Sequence, residues 1–162
     1  MGAFKKSRII AAVRTEKELD DALKSDVGII FYLTPDLHMV EDMATRVHDN
    51  GKKLFIHLDL ATGIGKDKSG IMYVKNAGID GIISTRVNII KAARECGVFT
   101  VQRFFIVDSH SIDTTVEAVK ASKADMIEVM PGIIMETSGV SGASRSAFAI
   151  HSRSWLPVPL RK

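Results

Sequence analysis

Up to Glu136 the chain alternates two hydrophobic patterns. Short runs that are apolar at nearly every position are separated by longer stretches whose apolar residues recur at helical spacing. The short runs are Arg8–Val13, Val27–Leu33, Lys53–Leu60, Ile79–Ser84, Phe99–Val107 and Met126–Met130, and each reads as a strand. After the first, Thr15-Glu16-Lys17-Glu18 has the Thr-x-x-Glu spacing of a capping box and predicts a helix start, with Leu19, Ala22 and Leu23 as its apolar stripe. Thr34-Pro35 predicts the next start, with proline at the first helical position. That helix carries Leu37, Val40, Met43, Ala44 and Val47 and stops at Asn50-Gly51. Gly51, Gly78 and Gly97 each stand between a predicted helix and the next strand.

Strands that are apolar on both faces and alternate with helices imply a parallel sheet with helices packed over it. Repeated strand–helix units fit either a β/α barrel of TIM type or an open doubly wound sheet. The first strand is not followed by Gly-x-Gly-x-x-Gly, which favours the barrel. Six units fall short of the roughly eight that close one, so the expectation is an incomplete barrel. The pattern breaks at Glu136. Residues 1–136 read as the barrel domain and 137–162 as an irregular basic tail, rich in Ser and Gly, with Pro157 and Pro159 bracketing Val158. Its apolar segments, Ala147–Ile150 and Trp155–Leu160, are expected to leave the barrel open and strand edges exposed.

Charge changes this picture little. The formal net charge is +3, but all 19 acidic residues lie at or before Glu136, and the tail holds Arg145, Arg153, Arg161 and Lys162. The barrel part therefore carries 18 basic against 19 acidic residues, and the basic balance belongs to the tail. Whole-chain charge is weak evidence for a nucleic-acid partner. No apolar run approaches the ~20 residues that span a bilayer. The opening MGAFKKSRIIAAV is followed at once by Arg14 and Glu16, which fits a buried first strand rather than a signal peptide. The single cysteine, Cys96, rules out an internal disulfide and fits the cytoplasm.

Ligands of parallel α/β folds bind beyond the carboxyl ends of the strands. The polar residues there are Arg14 after the first strand, His57 and Asp59 on the third, and Ser84-Thr85-Arg86 where the fourth ends. The fifth supplies Gln102, Arg103, Asp108 and Ser109, and the sixth Glu128, Pro131 and Gly132. His57 and Asp59 are two apart, hence expected on one face, either as an internal hydrogen-bonded pair or as ligand contacts. Gln102 and Arg103 are adjacent, so at most one faces the barrel interior. In the loop Thr62-Gly63-Ile64-Gly65-Lys66-Asp67-Lys68, two glycines and a lysine opening the next helix fit either a phosphate cradle or an ordinary turn. Asp108 and Ser109 read equally as helix caps. His38, His48, His57, His110 and His151 are scattered and form no metal set, and no nucleophile–base spacing is present.

Taken in order, RIIAAVRTEKELDDAL, IHLDLATGIGKDKSGI, DGIISTR, FTVQRFFIVDS and IEVMPGII resemble the glycerol-uptake operon antiterminator regulatory proteins over about residues 8–134. The resemblance implies a β/α barrel related to phosphate-binding barrels. It further implies a regulator that binds leader mRNA in response to glycerol-3-phosphate, with no catalytic residues, metal or cofactor. It raises His57, Asp59, Gly63, Gly65, Lys66, Asp67, Gln102, Arg103, Asp108, Glu128, Pro131 and Gly132 as functional or architectural positions. With Arg14 and Ser84, most of these form the expected ligand set; a homo-oligomer is left open. After Ile134 the family pattern of a further helix, strand and Gly-rich turn is not recognisable, and a reading-frame change accounts for this better than an evolved tail. The alternatives are a barrel enzyme for a small phosphorylated substrate, with Asp59 or Glu128 as acid–base and Lys66 on the phosphate, or an inactive remnant. RNA binding rests on the resemblance alone, since the chain has neither an aromatic RNP-like run nor a dense basic cluster.

Overall fold

The computed structural model describes residues 9–105, 110–130 and 147–148. In chain order the elements are β1 (Ile10–Val13), α1 (Glu16–Lys24), β2 (Ile29–Tyr32), α2 (Val40–Asp49), β3 (Lys53–His57) and a 3-10 turn (Leu58–Leu60). Then come α3 (Lys68–Asn76), β4 (Gly81–Ser84), α4 (Val87–Glu95), β5 (Phe99–Phe105), α5 (His110–Ser122), β6 (Met126–Met130) and β7 (Ala147–Phe148). The strands are parallel and lie side by side in sequence order. β1 to β6 with their helices curl into a half-barrel, an incomplete barrel of TIM type. None of the described helices is long and apolar enough to cross a membrane.

Most predicted element starts and stops rest on local chemistry. Thr15 caps α1 by accepting from the Glu18 amide while the Glu18 carboxylate accepts from the Thr15 amide, a complete capping box. Gly51, Gly78 and Gly97 all take positive φ at helix ends, where a side chain would be strained. One predicted start is corrected. Thr34-Pro35 does not open a helix; α2 begins at Val40 with no side-chain cap. The Pro35 carbonyl accepts from the Thr62 amide at 2.8 Å and the Leu37 amide donates to the Thr62 carbonyl at 3.0 Å. This short bridge commits the backbone that a helical turn would need, and Thr34 Oγ1 donates to the Arg14 carbonyl instead of capping. Within the stretch 137–162, Ala147–Phe148 pairs in parallel with Ile127–Glu128.

The pleat sorts the core into two layers. Ile30, Tyr32, Leu54, Ile56 and Ile82 face the helices and pack on Leu19, Val40, Met43, Val47, Ile71, Val74 and Ile89. Ile29, Phe31, Leu33, Phe55, Ile83, Val101 and Met126 form the inner layer, with Ala12 and Phe99 against it. Phe55, Gly81 and Phe99 are register partners on three neighbouring strands. The Phe55 ring lies over Gly81, where a Cβ would overlap it, and meets Phe99 edge-on with centroids 5.6 Å apart. Phe31 sits on its other side at 5.3 Å. Gly81→Ala should therefore cost about 1–3 kcal/mol through overpacking, read as a lower urea midpoint with an unchanged slope.

Candidate functional site

The inner face turns polar toward the strand C-termini. His57, Ile83, Val101 and Met126 form one row of the register, and Arg103 and Glu128 stand two residues further along β5 and β6. His57 is 3% exposed, Arg103 8% and Glu128 1%, so three ionisable side chains are enclosed among apolar ones. Arg103 donates from Nε to Glu128 Oε2 at 2.6 Å and from Nη2 to Oε1 at 3.0 Å. This side-on fork neutralises both charges and fixes the guanidinium plane. Burial first, and then the Arg103 guanidinium, which outweighs Asp59, together hold the His57 pKa down to about 4. The imidazole is thus neutral near pH 7, and its Nδ1 is buried with no hydrogen-bond partner among the described residues.

Asp59 is placed differently from expectation. β3 ends at His57, and the 3-10 turn carries Asp59 off the pleat, so the two residues do not share a strand face. Asp59 instead ties this turn to the end of β4. Ser84 Oγ donates to its Oδ1 at 2.8 Å, and the Thr85 amide and hydroxyl donate to its Oδ2 at 2.8 and 2.9 Å. Arg86 Nε lies 3.9 Å from Oδ1. Burial alone would raise the Asp59 pKa; the hydrogen bonds from Thr85 and Ser84 outweigh it and hold the carboxyl below its ordinary value.

The glycine loop is tightly built. Gly63 takes φ +73° against Leu37. A Cβ on Gly65 would come within 2.9 Å of Asp67 Oδ1, and one on Gly70 would overlap the Gly65 carbonyl. Asp67, not Lys66, caps α3 by accepting from the Gly70 amide, so the expectation that Lys66 opens the helix is corrected. The Lys66 ammonium folds back onto the carbonyls of Ala61 and Ile64. Of the other expected residues, Gln102 projects to the helix side of the sheet, opposite Arg103, where its amide is fully buried without a partner among the described residues. Arg14 is exposed at the end of β1, its amide donating to Glu18 at 2.6 Å. Gly132, with Asp108, Ser109 and Pro131, lies outside the described residues. The expected set thus separates into an interior cluster (His57, Arg103, Glu128), a rim clamp (Asp59, Ser84) and a loop (Gly63, Gly65, Lys66). Gly70 was not singled out by the sequence, and Thr85, named with Ser84 and Arg86 at the end of the fourth strand, was not carried into the expected ligand set.

This arrangement defines a parallel β/α half-barrel with a charged interior at the strand C-termini, the ligand end of such folds. Comparison with known proteins makes the assignment specific. The family model of the glycerol-3-phosphate responsive antiterminators matches residues 9–147, and the chain belongs to that family. It is 34% identical over 137 residues to the uncharacterised protein YgcP of Escherichia coli K12, covering 84% of this chain and 72% of YgcP. It is also similar to two crystal structures. One is a glycerol uptake operon antiterminator regulatory protein from Listeria monocytogenes, at 31% identity and a TM-score of 0.72, covering 78% of this chain and 69% of that one. The other is an antiterminator-related protein from Thermotoga maritima, at 29% and 0.71, covering 78% and 72%. A 4-hydroxy-2-oxoglutarate aldolase at 13% identity and a TM-score of 0.52 shares the fold alone.

The neutral buried histidine has a consequence for stability. Below about pH 6.5 the unfolded chain binds a proton that native His57 refuses until about pH 4. Stability should therefore be complete above pH 6.5 and fall by about 3 kcal/mol as pH drops through that window. Asp59 acts in the same direction only below the ordinary carboxylate range. Urea titrations at stepped pH should show the first loss in the wild type and not in His57→Gln.

Proposed function

We propose that this chain regulates glycerol uptake and catabolism genes by antitermination, binding leader mRNA in response to glycerol-3-phosphate, and that it is not an enzyme. The observation that carries this reading is membership of the glycerol-3-phosphate responsive antiterminator family over residues 9–147. The interior cluster supports the small-molecule half of it. A buried guanidinium oriented by Glu128 through Nε and Nη2 suits recognition of a phosphate anion. We place the effector there, at the C-termini of β3, β5 and β6, with Asp59, Ser84 and the Gly63–Gly65 loop shaping the rim. Lys66, turned onto its own loop, is assigned to loop architecture rather than to the phosphate.

Two measurements test the reading. The paired substitution Arg103→Met with Glu128→Leu removes both buried charges together, so the fold should hold to within about 2 kcal/mol. Calorimetry with glycerol-3-phosphate should then show affinity falling at least about tenfold, and unchanged affinity would move the effector elsewhere. For the RNA, gel shifts with a glycerol-operon leader transcript should show retention that strengthens with glycerol-3-phosphate and weakens with salt. Retention indifferent to both would remove the antitermination reading.

A further inference from the structure

Resting on the effector site just proposed, the structure points to one more property: we propose that His57 takes up a proton from solvent when a phosphate-monoester dianion enters the cluster. Charge balance is the reason. Without ligand the cluster is neutral overall, because Arg103 is matched by Glu128 at 2.6 and 3.0 Å and His57 is uncharged. A dianion entering an enclosed space needs compensation, and one guanidinium already shared with a carboxylate does not supply it.

Among the described residues the groups facing His57 are few. From β5 comes Arg103, with Glu128 of β6 behind it, and from the 3-10 turn comes Asp59. Asp59 is held by Ser84 and Thr85. On the same inner face β2 presents Phe31 and Leu33, and β4 presents Ile83, none of which titrates. Two of the charged groups, Arg103 and Glu128, are locked together, and Asp59 is held ionised by its donors. Among the described residues, the unpartnered Nδ1 of His57 leaves that ring as the group free to change protonation.

The unbound ring is neutral because burial and Arg103 penalise its charged form. A dianion reverses the second of these effects and offers Nδ1–H an acceptor. The balance is simple: neutral imidazole, bound dianion and one proton from bulk give imidazolium hydrogen-bonded to a ligand that remains a dianion. No bond of the ligand forms or breaks.

The test is calorimetry of sn-glycerol-3-phosphate between about pH 7 and 8.5, where the ester is mostly dianionic, in buffers of differing ionisation enthalpy. The wild type should bind with net proton uptake approaching one per site, and its affinity should weaken by up to about tenfold per pH unit. His57→Gln should bind more weakly, with less uptake and a flatter pH profile. Should that variant fail to fold, long-range 1H–15N spectra of wild-type histidines at neutral pH read the same event: His57 should pass from neutral ring to imidazolium on saturation. Binding without proton uptake and with a ring that stays neutral would overturn this inference and leave the effector site standing. No binding at all would overturn both.

Discussion

The constraint on which the rest of this molecule depends is the pleat of parallel strands buried on both faces. Each strand must satisfy helices on one side and the barrel interior on the other, and adjacent residues are sent to opposite environments. Register then assembles rows from residues distant in sequence. Phe31, Phe55, Gly81 and Phe99 make an aromatic floor because their strands pair in step. His57, Arg103 and Glu128 reach the same interior one and two rows above it. A glycine in the floor is the counterpart of the phenylalanine beside it, since one ring fills the space of two side chains.

Against that apolar floor the charged cluster is costly. Taking an arginine and a glutamate out of water is tolerated only because each meets the other in a fork with good geometry. Such a pair is poor evidence for stability by itself; replacing both residues by apolar ones of similar size is commonly neutral. A buried His nitrogen without a partner adds cost and no compensation within the described residues. A core designed only to fold would avoid all three groups. Their concentration at the ligand end of a β/α barrel is the physical basis for reading the cluster as a site.

The rim is organised by a different device. Asp59 accepts three hydrogen bonds from two consecutive residues, Ser84 at the end of β4 and Thr85 just after it, which ties the end of one strand–helix unit to the next. The neighbouring loop satisfies its own carbonyls with the Lys66 ammonium and lets α3 approach closely through Gly70. A lysine beside glycines, which in sequence reads as well for phosphate as for a turn, here turns its ammonium onto two carbonyls of its own loop. What separates the two readings is where the ammonium finds acceptors, and those are backbone groups whose positions the residue types do not encode.

The sequence by itself determined the elements, their parallel order and the class of fold. Those follow from local physics: apolar runs of strand length, the Thr15–Glu18 capping box and glycines free to take positive φ act within a few residues of themselves. It also placed Gln102 and Arg103 on opposite faces, because the pleat has a period of two. Tertiary structure alone decided which of them faces inward, that Arg103 meets Glu128 across 25 residues, and that β3 stops at His57 and so parts it from Asp59. It decided the delayed start of α2, where Thr62 captures the backbone around Pro35, and the pairing of Ala147–Phe148 with β6. Each of these turns on a partner supplied by another segment of chain. Local pattern carries which groups need a partner, whereas strand register and loop contact choose the partner.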